Sequence, residues 1–302
     1  MPELWVPLTI AGAFFQNLRS ALQKHLKSRL STAGASYVRF FYACPFALLY
    51  CWGLAKLGGF ALPAVTPKFL LYCFLGGASQ IIFTFLLIWL FSFRNFAVGT
   101  TYSKTETAQV AILGLLILGD TLSIAAVVAI AVSMVGVFAL SIAGSTLTVR
   151  SLLSGLTEKA TVIGLVCGAF LGASVVFFRG ASLSLGNDDF LMRAAFTLAV
   201  AVTMQTAMMG AWLLVREPGQ MTAVIRNWRP AMSVGVSGMV ASVAWFSAFT
   251  LQNAAYVRAL GQIELVFTFI ASVVFFREKT KPMELLGIAL IVGGILILVL
   301  GR

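Results

Sequence analysis

Two glutamates lie inside long apolar segments at matching places in the two halves of the chain. Glu106 falls within TTYSKTETAQVAILGLLILGD, and Glu264 falls within YVRALGQIELVFTFIASVVFFRE. A carboxylate inside a membrane-length segment is costly, and such groups typically line a water-filled pathway, a binding site or a proton relay. Burial disfavours the charged form of a carboxylate, so either residue could take up and release a proton. Both are therefore leading candidates for proton coupling or for binding a cationic group.

Three basic residues lie within or near similar apolar segments: Arg19, Lys104 and Arg258. Against the two glutamates they leave one excess positive charge, which suits a substrate that carries a carboxylate or a phosphate. Two alternatives stay open: these cations neutralise purely structural carboxylates, or Arg19 and Arg258 extend to the membrane interface. Lys104 lies two positions from Glu106 and cannot share its helical face, so a partner for Glu106 should come from another helix.

Uncharged polar and aromatic residues extend the candidate pocket. Gln16, Arg19 and Gln23 recur at spacings of three and four, so they share one helical face that we expect to line a cavity. Aromatic residues in central segments either pack or form a cage for an aromatic or quaternary-ammonium group. The remaining candidates are Gln109 and Gln262, which lie near the glutamates, and the aromatic residues Tyr102 and Trp245.

The composition indicates an all-α polytopic membrane protein. Of 302 residues, 60% are apolar and only 10% are charged, and the mean hydropathy is +0.98. A bilayer core about 30 Å thick needs about 20 apolar residues per helix, which leaves room for about ten transmembrane helices. The predicted spans are 4–23, 34–55, 68–92, 95–118, 122–143, 159–184, 189–214, 230–251, 254–276 and 282–301.

An internal repeat divides these ten helices into two sets of five. A shift of 158 positions aligns 77–142 with 235–300 and pairs Glu106 with Glu264, Asn95 with Asn253 and Gly136 with Gly294. The predicted organisation is a first repeat at 1–143, a linker at 144–158 and a second repeat at 159–302. Because five is odd, the second repeat enters the membrane in the opposite sense, which makes an inverted repeat with a substrate site near the midplane.

Small residues concentrate where helices should approach one another closely. The residues with this predicted role are Gly76, Gly77, Gly235, Gly238, Gly287, Gly293 and Gly294.

The net charge of +11 does not indicate a nucleic-acid partner, because the basic residues lie mainly at the ends of apolar segments. Lys and Arg are most frequent in connections 1–2, 3–4, 5–6, 7–8 and 9–10, which places these connections in the cytoplasm and both termini outside. The start MPELWVPLTI lacks a basic stretch and a cleavage site, so we expect a retained first helix in a multi-pass inner-membrane protein.

No cofactor or metal is expected. The four cysteines lie in apolar segments and should pack, and the single histidine, His25, has no acidic cluster near it. The phosphate-binding pattern GxxxxGK[ST] does not occur in the sequence, which argues against ATP as the direct energy source. A membrane enzyme acting on lipids or isoprenoids is an alternative, but no cluster of catalytic acids or histidines supports it; a passive channel is another.

The segment VVFFREKTKPMELLGIALIVGGILIL at 273–298 resembles the ninth and tenth helices of the ten-helix EamA type in the drug/metabolite transporter superfamily, and LLILGDTLSIAAVVAIAVSMVGVFAL at 115–140 repeats the pattern. In many members of that family a proline lies thirteen residues before the helix-ending acid. Here Thr107 and Leu265 occupy those positions, each directly after a glutamate. The resemblance covers nearly the whole chain but does not specify the substrate.

Together these patterns predict a secondary transporter that works by alternating access and is not an enzyme. We expect the substrate to be a small metabolite of amino-acid-like, drug-like or organic-ion type. Export, with coupling to protons or by exchange, is the expected mode.

Overall fold

A computed structural model of the chain describes residues 3–26, 29–90, 92–93, 96–144, 158–274, 277 and 280–301, without the side chains of Lys24, His25 and Phe96. Within these residues the regular structure is helical, with fourteen helices and no strand. The predicted all-α class is confirmed. The His25 side chain is not among those described, so the expectation that it binds no metal stays a prediction.

The helices follow one another closely along the chain. They are α1 (Trp5–Leu26), α2 (Thr32–Phe41), α3 (Ala43–Lys56), α4 (Pro67–Leu90), α5 (Phe96–Ser103), α6 (Glu106–Leu118), α7 (Ile124–Ala143), α8 (Lys159–Leu183), α9 (Phe190–Arg216), α10 (Pro218–Arg226), α11 (Trp228–Leu251), α12 (Ala254–Gly261), α13 (Ile263–Val274) and α14 (Pro282–Leu300).

Eight helical segments of the described chain are long and apolar enough to cross a membrane, with α2–α3 and α12–α13 each counted as one. They correspond to eight of the ten predicted spans and confirm a polytopic membrane protein. The other two predicted spans are α1, which carries Gln16, Asn17, Arg19 and Gln23, and the interrupted pair α5–α6. The count of ten remains a prediction.

The predicted span 34–55 is interrupted at Tyr42, between α2 and α3. Two further predicted spans, 95–118 and 254–276, are not continuous helices either, so the prediction of single helices is wrong for all three. Of these two, the first is interrupted between Ser103 and Glu106, and the second at Gln262. At the first break the amides of Lys104 and Thr105 bond to carbonyls three residues back instead of four. The starts of α5 and α12, at Phe96 and Ala254, differ by 158 positions, and so do their ends at Ser103 and Gly261.

Local chemistry explains why the first helix breaks without a proline. The hydroxyls of Thr100, Thr101, Ser103 and Thr105 all donate to backbone carbonyls three or four residues back. Such bonds compete with the helical amide ladder and loosen it. At the second break Gly261, a poor helix former, precedes Gln262.

The chain forms two compact units. Unit 1 comprises Met1–Ile81 and Phe177–Gln252, and unit 2 comprises Ile82–Val176 and Asn253–Arg302. Each unit contains segments from both halves of the sequence, whereas each predicted repeat, 1–143 or 159–302, is one continuous stretch of the chain. Those repeat boundaries remain a prediction, and most of the predicted linker, 145–157, lies outside the described residues.

Unit 1 has an apolar core between α2, α3, α9 and α11. Val38, Leu198, Val202 and Leu213 are almost fully buried there. At the end of α11, Nη1 of Arg179 donates to the carbonyls of Phe249 at 2.7 Å and Gln252 at 2.6 Å. These two bonds satisfy carbonyls that a helix end leaves without amide partners.

Unit 2 is held by close packing of α7 against α14. A Cβ on Gly136 would lie 2.7 Å from the carbonyl oxygen of Gly287, and a Cβ on Gly294 would overlap the Ser133 hydroxyl. Small residues therefore let the two backbones approach. Gly293 is different, because a Cβ there meets nothing within 4 Å. Its predicted role in close packing is wrong, since it lies on the open side of α14.

We expect Gly294→Ala to destabilise the protein by about 1–3 kcal/mol, because the added methyl group overfills a packed interface. Gly293→Ala is the matched control on the same helix and should leave stability unchanged or slightly increased, because alanine favours helix. Thermal unfolding midpoints of the purified proteins in detergent measure both effects. Equal midpoints for the two variants would contradict the packing argument.

Candidate functional site

The two helix breaks of unit 2 face one polar cleft. Its polar lining consists of Lys104, Glu106 and Thr107 from the first break and Arg258, Gln262 and Glu264 from the second. The cleft encloses about 270 Å³ when its open mouth is included, and its interior leaves room for about one water molecule. A substrate therefore requires the cleft to widen.

Glu106 and Arg258 form an ion pair in this cleft. Nη2 of Arg258 donates to Oε1 of Glu106, and the two side chains are only 12% and 8% exposed. Glu106 is the first residue of α6, and Arg258 lies in the last turn of α12. Each charge thus lies at the helix end whose dipole stabilises it. As the spacing argument required, the partner of Glu106 comes from another helix.

A hydrogen bond beside the ion pair joins the same two helix breaks. Nε2 of Gln262 donates to Oγ1 of Thr107 at 3.0 Å, and both side chains are buried. Gln262 lies between α12 and α13, and Thr107 lies in the first turn of α6. The two breaks are therefore connected by an ion pair and by a neutral hydrogen bond.

Glu264 and Lys104 complete the charges of the cleft. Glu264 lies in the first turn of α13, close enough to Arg258 to attract it electrostatically. Lys104 is exposed, and its amine has no hydrogen bond or ion pair with the described residues. Two carboxylates and two cations thus balance within the cleft. The predicted excess positive charge came from Arg19, which belongs to unit 1.

Two buried oxygen atoms in the cleft accept no hydrogen bond from the described residues: Oε2 of Glu106 and Oε1 of Gln262. The two residues are only 6% and 8% exposed. An unsatisfied buried acceptor costs about 1–3 kcal/mol, so such atoms call for a donor from water, a ligand or a bound proton. The cleft therefore has capacity for a hydrogen-bond donor that the described part of the chain does not supply.

Gln109 and Tyr102 lie in unit 2 but do not line the cleft. Nε2 of Gln109 donates to Oγ1 of Thr105 at 3.0 Å and to the carbonyl of Leu165 at 3.3 Å. Gln109 thereby ties the first helix break to α8. The ring of Tyr102 makes an edge-to-face contact with Phe138, with centroids 6.1 Å apart. In this conformation both residues stabilise the surroundings of the break.

Trp245 lies in unit 1, where α1 packs on α11. A Cβ on Gly12 would lie 3.1 Å from the Trp245 ring, so the glycine lets the indole lie close to α1. The Trp245 ring also stacks on the Phe249 ring, with centroids 5.6 Å apart and an interplanar angle of 17°. These contacts give Trp245 a packing role within unit 1.

The predicted polar face of α1 also lies in unit 1. Arg19 runs beside Gly238, where a Cβ would lie 3.2 Å from its Cδ, and Gln16 is half-buried. Gln23 donates to the carbonyl of Ala35 at 2.7 Å and so ties α1 to α2. This contact makes Gln23 a helix tie, whereas the sequence pattern placed it on a cavity face.

The sequence argument missed Thr107 as a polar partner of Gln262 and missed both helix breaks. The signal for the first break was present in the hydroxyl-rich stretch Thr100–Thr105, because serine and threonine compete with the helical ladder. For the second break the sequence offers only Gly261, which is common inside membrane helices.

Comparisons with known proteins support the family resemblance. The model of the EamA-like transporter family matches residues 158–300, which include Arg258, Gln262 and Glu264. A Sinorhizobium protein described as an uncharacterized transporter in the cobO 3' region is 30% identical over 139 residues, which are 44% of this chain and 92% of that protein. A solved crystal structure matches 99% of this chain and 97% of its own with a TM-score of 0.73 at 12% identity, which shows likeness of fold alone.

The resemblance inferred from the helix-ending acids and the glycine-rich helices is thus confirmed by an independent family match and by a relative that aligns over most of its length. With several apolar helices long enough to cross a membrane, this chain is a multi-pass membrane transporter that belongs to the EamA-like transporter family.

Proposed function

We propose that this protein is a secondary transporter of the inner membrane that moves a small polar metabolite by alternating access. The observation that carries the proposal is the ion-paired cleft at two helix breaks, since Glu106 and Arg258 are buried within apolar segments. Ionisable groups at such places are expensive and typically mark a substrate or proton pathway.

The helix breaks support the same proposal. Broken helices in transporters place helix ends at the substrate site, where their dipoles and free backbone groups meet charged ligands. The bounds of α5 and α12 recur after 158 positions, which agrees with ten spans arranged as two inverted five-helix repeats. Rocking of one part against another would open the narrow cleft to alternate sides of the membrane.

The substrate in this proposal is amino-acid-like, drug-like or an organic ion. Lys104 and Arg258 suit an anionic group, and the two free acceptor oxygens suit a hydrogen-bond donor. Export is the proposed direction, with coupling to protons through Glu106 and Glu264 or with exchange of two solutes. Saturable flux distinguishes this transporter from a passive channel.

A thermal-shift screen against a metabolite library should identify the substrate, because a ligand that binds the folded state raises the unfolding midpoint. We expect a hit to show saturable flux into proteoliposomes that contain the protein. Flux that rises linearly with concentration, or a complete absence of flux for every hit, would contradict a transporter of this kind.

Glu106→Gln should abolish the proton movement that accompanies flux of the identified solute, because glutamine cannot exchange a proton. Glu264→Gln should disturb the cleft less than Glu106→Gln, because Arg258 keeps its partner Glu106. A pH-sensitive dye inside proteoliposomes gives the readout, and elution as a single species from size-exclusion chromatography checks folding. The exposed Glu3→Gln serves as the control. Wild-type proton movement in both cleft variants would exclude these carboxylates as coupling groups.

The positive-inside count places connection 7–8 in the cytoplasm and connection 6–7 outside. Gly219 and Gly186 lie in these connections, and a Cβ at either position meets nothing within 4 Å. We expect Gly186→Cys, but not Gly219→Cys, to react with an impermeant maleimide in intact cells, after serine has replaced the four free cysteines. The reverse labelling pattern would invert the proposed orientation.

A further inference from the structure

Arg258 is the most heavily engaged charge in the cleft. It pairs with Glu106 and is also attracted by Glu264, so two carboxylates act on one guanidinium. Lys104, at the other break, is an exposed cation whose amine has no partner among the described residues. As far as the described residues go, the cleft therefore contains one cation without a partner, Lys104, and one that is paired with a carboxylate, Arg258.

A cationic group of a substrate does not fit well beside Glu106. The free oxygen of Glu106 belongs to a carboxylate whose other oxygen already holds Arg258, so an entering ammonium would lie next to a buried guanidinium. Like charges in a low-dielectric site repel strongly. An entering carboxylate or phosphate, by contrast, would meet Lys104 and Arg258, two cations with complementary donors.

Binding of an anion at Arg258 has a consequence for Glu106. When Arg258 turns to the anion, Glu106 keeps a buried position but loses its counter-ion. Desolvation then favours the neutral form of the carboxyl group, so it takes up a proton from water. Protonated Glu106 is a hydrogen-bond donor, and Oε1 of Gln262 in the same cleft is an acceptor that lacks one.

We propose that the cleft binds the carboxylate or phosphate of an organic anion at Arg258 and Lys104, and that Glu106 takes up one proton as the anion displaces it from Arg258. This inference rests on the proposed transport function and specifies its substrate class and coupling. Anion and proton then occupy the cleft together, so export by this route is driven by the outward gradient of the anion, which carries the proton with it. Glu106 acts as an internal substitute for the substrate's anionic group and keeps Arg258 neutralised when the site is empty.

The groups that can modify this exchange come from every element around Glu106. They are Arg258 on α12, Glu264 on α13, Lys104 between α5 and α6, and the Cys167 thiol on α8, which lies within electrostatic range of Glu106. Helix α7, which also packs against α6, contains no titratable residue. Glu264 still attracts Arg258 after its bond to Glu106 breaks, so the guanidinium keeps one carboxylate within electrostatic range when the ion pair opens.

The test uses the full-length protein in detergent with lactate, benzoate and inorganic phosphate as anionic probes and choline as the cationic probe, at constant ionic strength. We expect at least one anion to raise the unfolding midpoint and choline to have no effect. Affinity for that anion should rise up to about tenfold for each unit that the pH falls, because one proton binds with it. A dye in weakly buffered solution should register uptake of up to one proton per bound anion.

Variants separate the roles of the two charges. Glu106→Gln should bind the anion about tenfold or more tightly and without pH dependence, because Arg258 is then permanently released. Lys104→Gln should weaken anion binding, and Lys104→Arg should preserve it. The control is Lys56→Gln, at an exposed lysine of α3 in unit 1. If Glu106→Gln fails to fold, the proton uptake of the wild-type protein still tests whether a proton binds together with the anion.

Any of four results would overturn the inference. Choline stabilises the protein and the anions do not, or none of the three anions stabilises it. Alternatively, an anion binds without proton uptake, or its affinity rises as the pH rises. The proposed transport function is tested separately. Saturable flux of a neutral or cationic solute would leave the transporter intact while excluding an anion site, whereas absence of flux for every hit of the library screen would exclude transport itself.

Discussion

The buried ion pair between Glu106 and Arg258 joins the two helix breaks of unit 2. A single charge of either sign in an apolar segment would be very costly, whereas a paired charge at a favourable helix end costs far less. Both conditions hold here, because Glu106 begins α6 and Arg258 lies in the last turn of α12. The helix breaks therefore lie where the dipoles of the helix ends stabilise these two charges.

The breaks also explain how the chain manages without the prolines that loosen the corresponding helices in many relatives. Hydroxyls of Thr100, Thr101, Ser103 and Thr105 take up backbone carbonyls at the end of α5, and this weakens the ladder at the position where a proline would interrupt it. The outcome differs from a proline kink in chemistry. A side-chain charge, that of Glu106, lies at the break, whereas a proline would bring none.

Rigid packing surrounds this adaptable region. Helices α7 and α14 approach through Gly136, Gly287 and Gly294, and their contact surface is made of small residues that leave little freedom. The cleft, by contrast, contains buried oxygens without donors and an exposed lysine without a partner among the described residues. Close-packed helices thus adjoin a candidate site whose polar groups are only partly satisfied by the described residues.

The sequence by itself determined the all-α membrane class and the EamA-like family and marked Glu106 and Glu264 as candidates, because apolar composition and charges within apolar segments are properties of local sequence. It also required that the partner of Glu106 come from another helix. Only the tertiary structure decided that this partner is Arg258, that Thr107 meets Gln262, and that Arg19, Gln16 and Trp245 belong to a different compact unit. These pairings join residues more than 150 positions apart, and periodicity along one helix carries no information about which face of a distant helix it will meet.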